Sequence, residues 1–184
     1  MKKGYIALGV IVLLVFILFM SYRGTYNTAI NLRETVDQKW ADVGATYQRR
    51  ADLVPQLVAT VKGAAANERG ILTTVTEARA GIVNAKSPED MEMMGKKINT
   101  AINLAFEAYP QIRSTQNFSD LQAQLEGTEN RIAVARKDYN QSVKDYNNHI
   151  LGFFNSMFLN KTTFPERAPF KNAEGTEKAP EVKF

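Results

Sequence analysis

Side chains that could carry out a reaction are few in this 184-residue sequence. His149 is the one histidine, and the chain has no cysteine, which excludes disulfides, thiolate metal ligands and cysteine nucleophiles. Carboxylates such as Glu77 and Glu107 are scattered, and a di-iron bundle needs two Glu-x-x-His elements, which one histidine cannot supply. No HExxH, glycine-rich phosphate loop or G-x-S-x-G elbow occurs. The sequence therefore predicts a protein that is not an enzyme, with no catalytic residue, cofactor or metal.

Polar residues of note fall in two segments instead. In the first, residues 48–63, Arg50 occupies a slot of an apolar stripe, so we expect it to be partly buried and to need a carboxylate partner. Glu129 is the hypothesised partner, and its replacement by Gln should cost several kcal/mol if that charge is buried.

The second segment, residues 128–147, repeats Asp-Tyr-Asn with a seven-residue period. A buried network of ion pairs and hydrogen bonds that fixes helix register is one interpretation, and a docking surface for another protein is the alternative. The predicted network comprises Arg49, Arg50, Asp52, Glu129, Arg131, Arg136, Tyr139, Asn140, Tyr146 and Asn147.

An uncharged apolar run from Tyr5 to Tyr22 must position these residues relative to a membrane. As a helix its 18 residues rise about 27 Å, close to the thickness of a bilayer's hydrocarbon core. A cleaved signal peptide is the alternative, but the run is long and ends in FMSYRG, without a small-x-small cleavage site. The run predicts a single-pass anchor in the cytoplasmic membrane. Lys2 and Lys3 favour a cytoplasmic N-terminus with the bulk of the chain on the extracytoplasmic side.

Net charge is +4 overall, and without the two leading lysines 21 basic residues face 19 acidic ones. This near balance argues against a nucleic-acid partner, which would need a dense basic surface.

The remaining pattern is helical throughout. Apolar residues recur at three- and four-residue steps from Val36 to Val61, and we expect the helix to kink at Pro55 and to break or bend near residues 67–70. Ser87-Pro88 predicts a helix start. A last, coiled-coil-like seam runs from Phe118 to Met157. The predicted fold is all-α: an N-terminal transmembrane helix followed by an antiparallel bundle of three to four long helices.

Three regions follow from this division: an anchor over residues 1–23, a helical bundle over 24–163 and a C-terminal tail over 164–184. The tail is rich in proline and charge, so we expect it to be loosely held or disordered.

Ordered short motifs along almost the whole chain resemble the LemA family. They include WADV at 40–43, RRADLVP at 49–55, TVKG at 60–63, YP at 109–110, TENRIA at 128–133, and YN at 139–140 and 146–147. The sequence departs after Asn148, where many relatives continue to a Phe-Pro pair. The resemblance implies a bacterial single-pass membrane protein with a helical bundle, a suggested association with membrane protease systems, and no catalytic residues.

Two functions are favoured by these features, and an enzyme or small-ligand carrier with a polar pocket near Arg49, Glu129 and Arg136 is a third alternative. The first is a non-enzymatic, membrane-anchored scaffold or adaptor that engages other cell-envelope proteins, held in the lipid bilayer by residues 5–22. The alternative is a self-assembling, homo-oligomeric structural or membrane-shaping protein, because a long apolar seam can pair between chains as well as within one.

Overall fold

The computed structural model of the protein describes residues 2–60, 65–108 and 116–171. Five helices cover most of these residues, and no strand occurs among them. They are α1 (Lys2–Thr60), α2 (Ala65–Asn84), α3 (Pro88–Ala108), α4 (Gln116–Leu151) and α5 (Phe153–Phe158). The all-α class and the long apolar N-terminal helix are as the sequence predicts.

Helix α1 continues through Pro55 for five further residues. Proline removes one backbone hydrogen bond from a helix interior, so packing must hold the helix together here. Val54, Leu57 and Val58 beside it are all buried. A break or bend was expected near residues 67–70; this stretch lies inside α2, so the helix does not break there.

Helix α3 begins as its sequence predicts. The backbone N–H of Asp90 donates to the Ser87 hydroxyl at 3.1 Å, and the Asp90 carboxylate accepts the N–H of Ser87 at 3.1 Å. This reciprocal arrangement satisfies N–H groups that the first turn of a helix leaves without partners. A hydrogen bond with the Ser87 hydroxyl, followed by those from the backbone N–H groups of Lys86 and Ser87, holds the pKa of the Asp90 carboxyl below its usual value.

The apolar seam of α4 is buried over nearly all of its described length. Its buried positions are Leu121, Leu125, Thr128, Ile132, Ala135, Tyr139, Val143, Tyr146 and Ile150. The seam was expected to continue through Phe153 and Met157, and this is wrong: both side chains are exposed. Gly152, with φ −55° and ψ 138°, is extended, so α4 ends at Leu151 and α5 starts a new helix out of phase with the seam.

The C-terminal region also differs from expectation over residues 164–171. This stretch, called the strap below, has no helix, yet its Phe164 and Phe170 side chains are only 2% and 3% exposed. A loosely held tail is therefore wrong for the strap. Residues 172–184 lie outside the described residues.

Two compact units divide the chain. The anchor unit comprises Met1–Lys39 and Gln141–Arg167, and the bundle unit comprises Trp40–Asn140 and Ala168–Phe184. In the bundle unit a Cβ built on Gly95 of α3 would lie 2.5 Å from the Tyr47 ring of α1, so α1 and α3 approach closely because that position is a glycine.

In the anchor unit, the side chains of the apolar N-terminal part of α1 are exposed. Every described large apolar side chain from Tyr5 to Met20 is more than half exposed. By length and composition, one helix of the described residues, within Leu8–Ala59, could cross a membrane: its most apolar window has a mean hydropathy of 2.0 and is 0% buried. This is compatible with a single-pass membrane anchor, and a signal sequence would have the same properties.

Candidate functional site

An ion pair joins α1 to α4 in the bundle unit. Arg50 Nη1 donates to Glu129 Oε2, which brings together the two residues that the sequence suggested as partners. The two ends differ in burial, since the Arg50 side chain is 12% exposed and that of Glu129 is 60% exposed. Burial lowers the pKa of the Arg50 guanidinium, and its buried Nε has no hydrogen-bond partner among the described residues. A buried guanidinium N–H without an acceptor is energetically unfavourable, so an acceptor atom placed beside it would be stabilising.

A second ion pair lies nearby, between α3 and α4. Arg136 Nη2 donates to Glu92 Oε1 at 2.5 Å and to the Lys171 carbonyl at 3.0 Å. The Arg136 guanidinium also lies 4.8 Å from the centre of the Phe170 ring. Burial raises the pKa of the Tyr47 hydroxyl, and the positive charge of Arg136 partly opposes that rise.

These pairs border a pocket of about 460 Å³, called the cationic pocket below. It is lined by Tyr47, Arg50, Glu92, Gly95, Lys96, Asn99, Glu129, Ile132, Arg136 and Lys171. Four of these side chains are cationic and two are carboxylates, so the lining carries a formal net charge of +2. Such a lining favours an anionic ligand.

A second pocket of about 630 Å³, called the mixed pocket below, adjoins the first. The two pockets share Arg50, Asn99 and Glu129. The mixed pocket adds a wall of larger apolar and polar side chains, namely Ile102, Asn103, Phe106, Gln122, Leu125 and Glu126. Together they form one groove along α3 and α4, with the Arg50–Glu129 pair between a cationic end and a partly apolar end.

Other members of the predicted network lie elsewhere. Asp52 forms an ion pair with Arg79 of α2, with 2.8 Å between Asp52 Oδ1 and Arg79 Nη2. Arg49 and Arg131 are exposed on α1 and α4. The charged residues therefore form separate pairs that join different helices, and Glu92, Lys96 and Asn99 are groove residues that the sequence did not single out. Their signal was weak because all three lie on the polar side of α3, where charged residues are ordinary.

The first tyrosine–asparagine pair of α4, Tyr139 and Asn140, binds the part of the strap that belongs to the bundle unit. Tyr139 donates its hydroxyl to the Ala168 carbonyl at 3.1 Å. Asn140 bonds both backbone groups of Phe170: it donates to the carbonyl at 2.9 Å and accepts the N–H at 2.8 Å. The Phe170 ring also stacks on Trp40 with ring centres 5.9 Å apart.

The second pair repeats this pattern in the anchor unit. Tyr146 donates to the Pro165 carbonyl at 3.0 Å, and Asn147 bonds both the carbonyl and the N–H of Arg167, at 2.8 and 3.0 Å. Arg167 in turn pairs with Asp37 of α1 at 2.9 Å.

Each pair therefore binds main-chain atoms of the strap, whereas the sequence suggested contacts that set helix register. The repeated tyrosine–asparagine pair was visible in the sequence, but nothing in residues 164–171 indicates that these residues bind it.

Little in the described parts of the chain resembles a reaction centre. No group of three or more potential metal-ligating side chains occurs among the described residues. His149 is used structurally, because its Nε2 lies 3.1 Å from the Thr25 carbonyl, which requires a proton on that nitrogen.

The molecule is thus an all-helical protein whose N-terminal helix is apolar enough to cross a membrane and whose bundle unit contains a polar groove. The chain belongs to the LemA family, whose model matches residues 39–184. It is also similar to Protein LemA of Metamycoplasma hominis (strain ATCC 23114), with 20% identity over 167 residues, which is 89% of this chain and 76% of the relative. Family membership supports a membrane-associated protein, and the family is not known as one of enzymes.

Proposed function

We propose that the protein is a non-enzymatic, membrane-anchored adaptor that binds a segment of another cell-envelope protein in the α3–α4 groove. The observation that carries this proposal is the groove itself, which has a cationic pocket and a mixed pocket side by side. The wall that the two pockets share contains the buried Arg50 Nε, which has no acceptor within the part of the chain that the structure describes.

Two adjoining openings with a combined length of several helical turns suit an extended or helical peptide better than one compact small molecule. The cationic pocket would take an acidic side chain, which could reach Lys96 and Arg136. The mixed pocket would take an apolar side chain of the same segment against Ile102 and Leu125. The partner is therefore an amphipathic, acidic segment.

Retention of the apolar N-terminal helix is part of the proposal. We infer that residues 5–22 remain in the cytoplasmic membrane as a single-pass anchor, with Lys2 and Lys3 on the cytoplasmic side and the helical body outside. A tether raises the local concentration of the groove near membrane partners, so modest affinity would suffice.

Site-specific photocrosslinking in native membranes tests the adaptor. Asn99 is exposed and lines both pockets, so a photoreactive phenylalanine analogue placed there in the full-length chain reports on any groove occupant. We expect a discrete adduct with a different protein. Lys96→Glu should weaken that adduct by reversing one charge of the cationic pocket.

Lys137→Glu is the matched control, because Lys137 is an exposed helical lysine outside both pocket linings. It should leave the adduct unchanged. Adducts that contain only two copies of this chain would support self-assembly and contradict the adaptor. Equal loss with both charge reversals would remove the groove from the proposal.

A further inference from the structure

Helix α5 presents an apolar surface to solvent. Phe153, Phe154 and Met157 are 77%, 72% and 71% exposed, and no residue of α5 is buried. At 100° per residue these three side chains lie within one 100° sector of the helix, and Asn155 and Ser156 lie on the other side. Exposed aromatic clusters of this kind mark a contact surface.

Contacts within the anchor unit place α5 at the end of the apolar N-terminal run. The Phe158 ring lies edge-on to Tyr22, with ring centres 6.0 Å apart. Thr25 donates its hydroxyl to Asn155 at 3.4 Å. Asn155 also donates to the His149 carbonyl at 2.9 Å, which ties α5 to the end of α4.

These contacts fix the depth of α5 relative to the apolar run. Tyr22 is the last residue of that run, and Thr25 is three residues beyond it, or about 4.5 Å along the helix. The interfacial layer on each side of the hydrocarbon core is roughly 5–8 Å thick. Helix α5 therefore lies at the level of the lipid headgroups whenever α1 spans the bilayer.

We propose that α5 is a second membrane contact, whose Phe153, Phe154 and Met157 insert into the interfacial layer of the lipid bilayer beside the anchor. This inference rests on the retained anchor of the proposed function. The occupant is lipid because the surface is continuous with the apolar run through the Tyr22–Phe158 contact. Trp and Tyr are enriched in that layer, and Phe is common on the apolar face of helices that lie in it.

Such a contact would orient the anchor unit in the membrane. A single transmembrane helix can rotate about its own axis and tilt, whereas a second point of insertion restricts both motions. Thr25 donates its hydroxyl to Asn155 of α5, and its carbonyl accepts from His149 of α4, so these two hydrogen bonds would transmit that restriction from α5 to α4 and α1.

Spin-label accessibility in the full-length protein tests this contact. The chain has no cysteine, so Phe154→Cys and Met157→Cys each carry a single label after reconstitution into phosphatidylcholine–phosphatidylglycerol vesicles. Lys144→Cys is the control, since Lys144 is exposed on α4 ten residues before Phe154. We expect the ratio of oxygen to water-soluble nickel-chelate accessibility at 154 and 157 to be several-fold higher than at 144.

The outcomes separate this inference from the anchor. If the labelled protein floats with the vesicles but 154 and 157 are as accessible to the nickel chelate as 144, the α5 contact is refuted and the anchor stands. If the full-length protein does not float with the vesicles, both fall. A high ratio at 154 and 157 with a low ratio at 144 supports both.

Discussion

Glu129→Gln removes one charge from the Arg50–Glu129 pair and keeps the size of the side chain. Breaking a fully buried pair costs roughly 3–5 kcal/mol, whereas an exposed pair is worth at most about 1 kcal/mol. The Glu129 side chain is 60% exposed, so water screens its charge and can replace it. We therefore expect a loss of about 1 kcal/mol in the free energy of unfolding. The larger sequence-based estimate assumed a buried carboxylate.

Arg50→Met should behave differently, because Arg50 is the buried end of the pair, with 12% of its side chain exposed. Methionine fills a similar volume without the desolvation cost of a guanidinium, and the Glu129 carboxylate left behind can turn to water. Replacing buried ionic groups by apolar ones is often neutral or stabilising. We expect a change in unfolding free energy smaller than that caused by Glu129→Gln.

Urea unfolding of the full-length protein in detergent micelles measures both changes. Trp40 is the one tryptophan of the chain, and its ring centre lies 5.4 Å from that of Tyr139, so its fluorescence reports on the bundle unit. A loss of 1 kcal/mol corresponds to a fall of about 2–4 °C in Tm for a chain of this size. The burial asymmetry would be refuted by an unchanged Glu129→Gln protein together with an Arg50→Met protein that loses more than about 2 kcal/mol.

Three further predictions concern the strap and the core. Asn147→Ala removes two hydrogen bonds to the strap backbone, so tryptic cleavage within the strap should be faster. Gly95→Ala gains about 1 kcal/mol of helix propensity but places a methyl group 2.5 Å from the Tyr47 ring, and overpacking of about 1–3 kcal/mol should lower Tm. Burial raises the pKa of Tyr47 above its ordinary value of 10.0, so its contribution to stability is complete below pH 10 and is lost as pH rises through the folded-state pKa. Tyr47→Phe should therefore reduce the loss of stability between neutral pH and pH 11, measured by urea unfolding at each pH.

Each of these has a control or a contrary outcome. Asn148→Ala changes an exposed neighbour on the same helix and should leave cleavage after Arg167 unchanged. Gly127→Ala adds a methyl group where nothing lies within 4 Å, so it should raise Tm where Gly95→Ala lowers it. An alkaline stability profile that is identical in the Tyr47→Phe and parent proteins would show that ionisation of this hydroxyl does not limit stability.

Helices and their local start signals were readable from the sequence because the forces involved act within one or two turns. The Ser87–Asp90 cap depends on residues three positions apart. The buried seam of α4 follows from a three- to four-residue period that needs no knowledge of its neighbours. The apolar run at the N-terminus likewise depends on composition alone.

Features that depend on distant residues could not be predicted. The strap has no periodicity of its own, and its hydrogen-bond partners lie 19 to 30 residues earlier in the chain. The pairing of Arg50 with Glu129 was accessible as a hypothesis, but the exposure of Glu129 depends on how α1 and α4 pack. The groove could not be predicted because Glu92 and Lys96, which line it, lie on a polar helix face of ordinary composition.

The retained anchor is the premise on which the adaptor and the α5 contact both depend. The most direct test is the intact mass of the protein extracted from alkali-washed membranes of its native host. We expect a membrane-bound chain whose mass includes residues 1–23. A soluble protein whose mass corresponds to a chain beginning after Arg23 would contradict it.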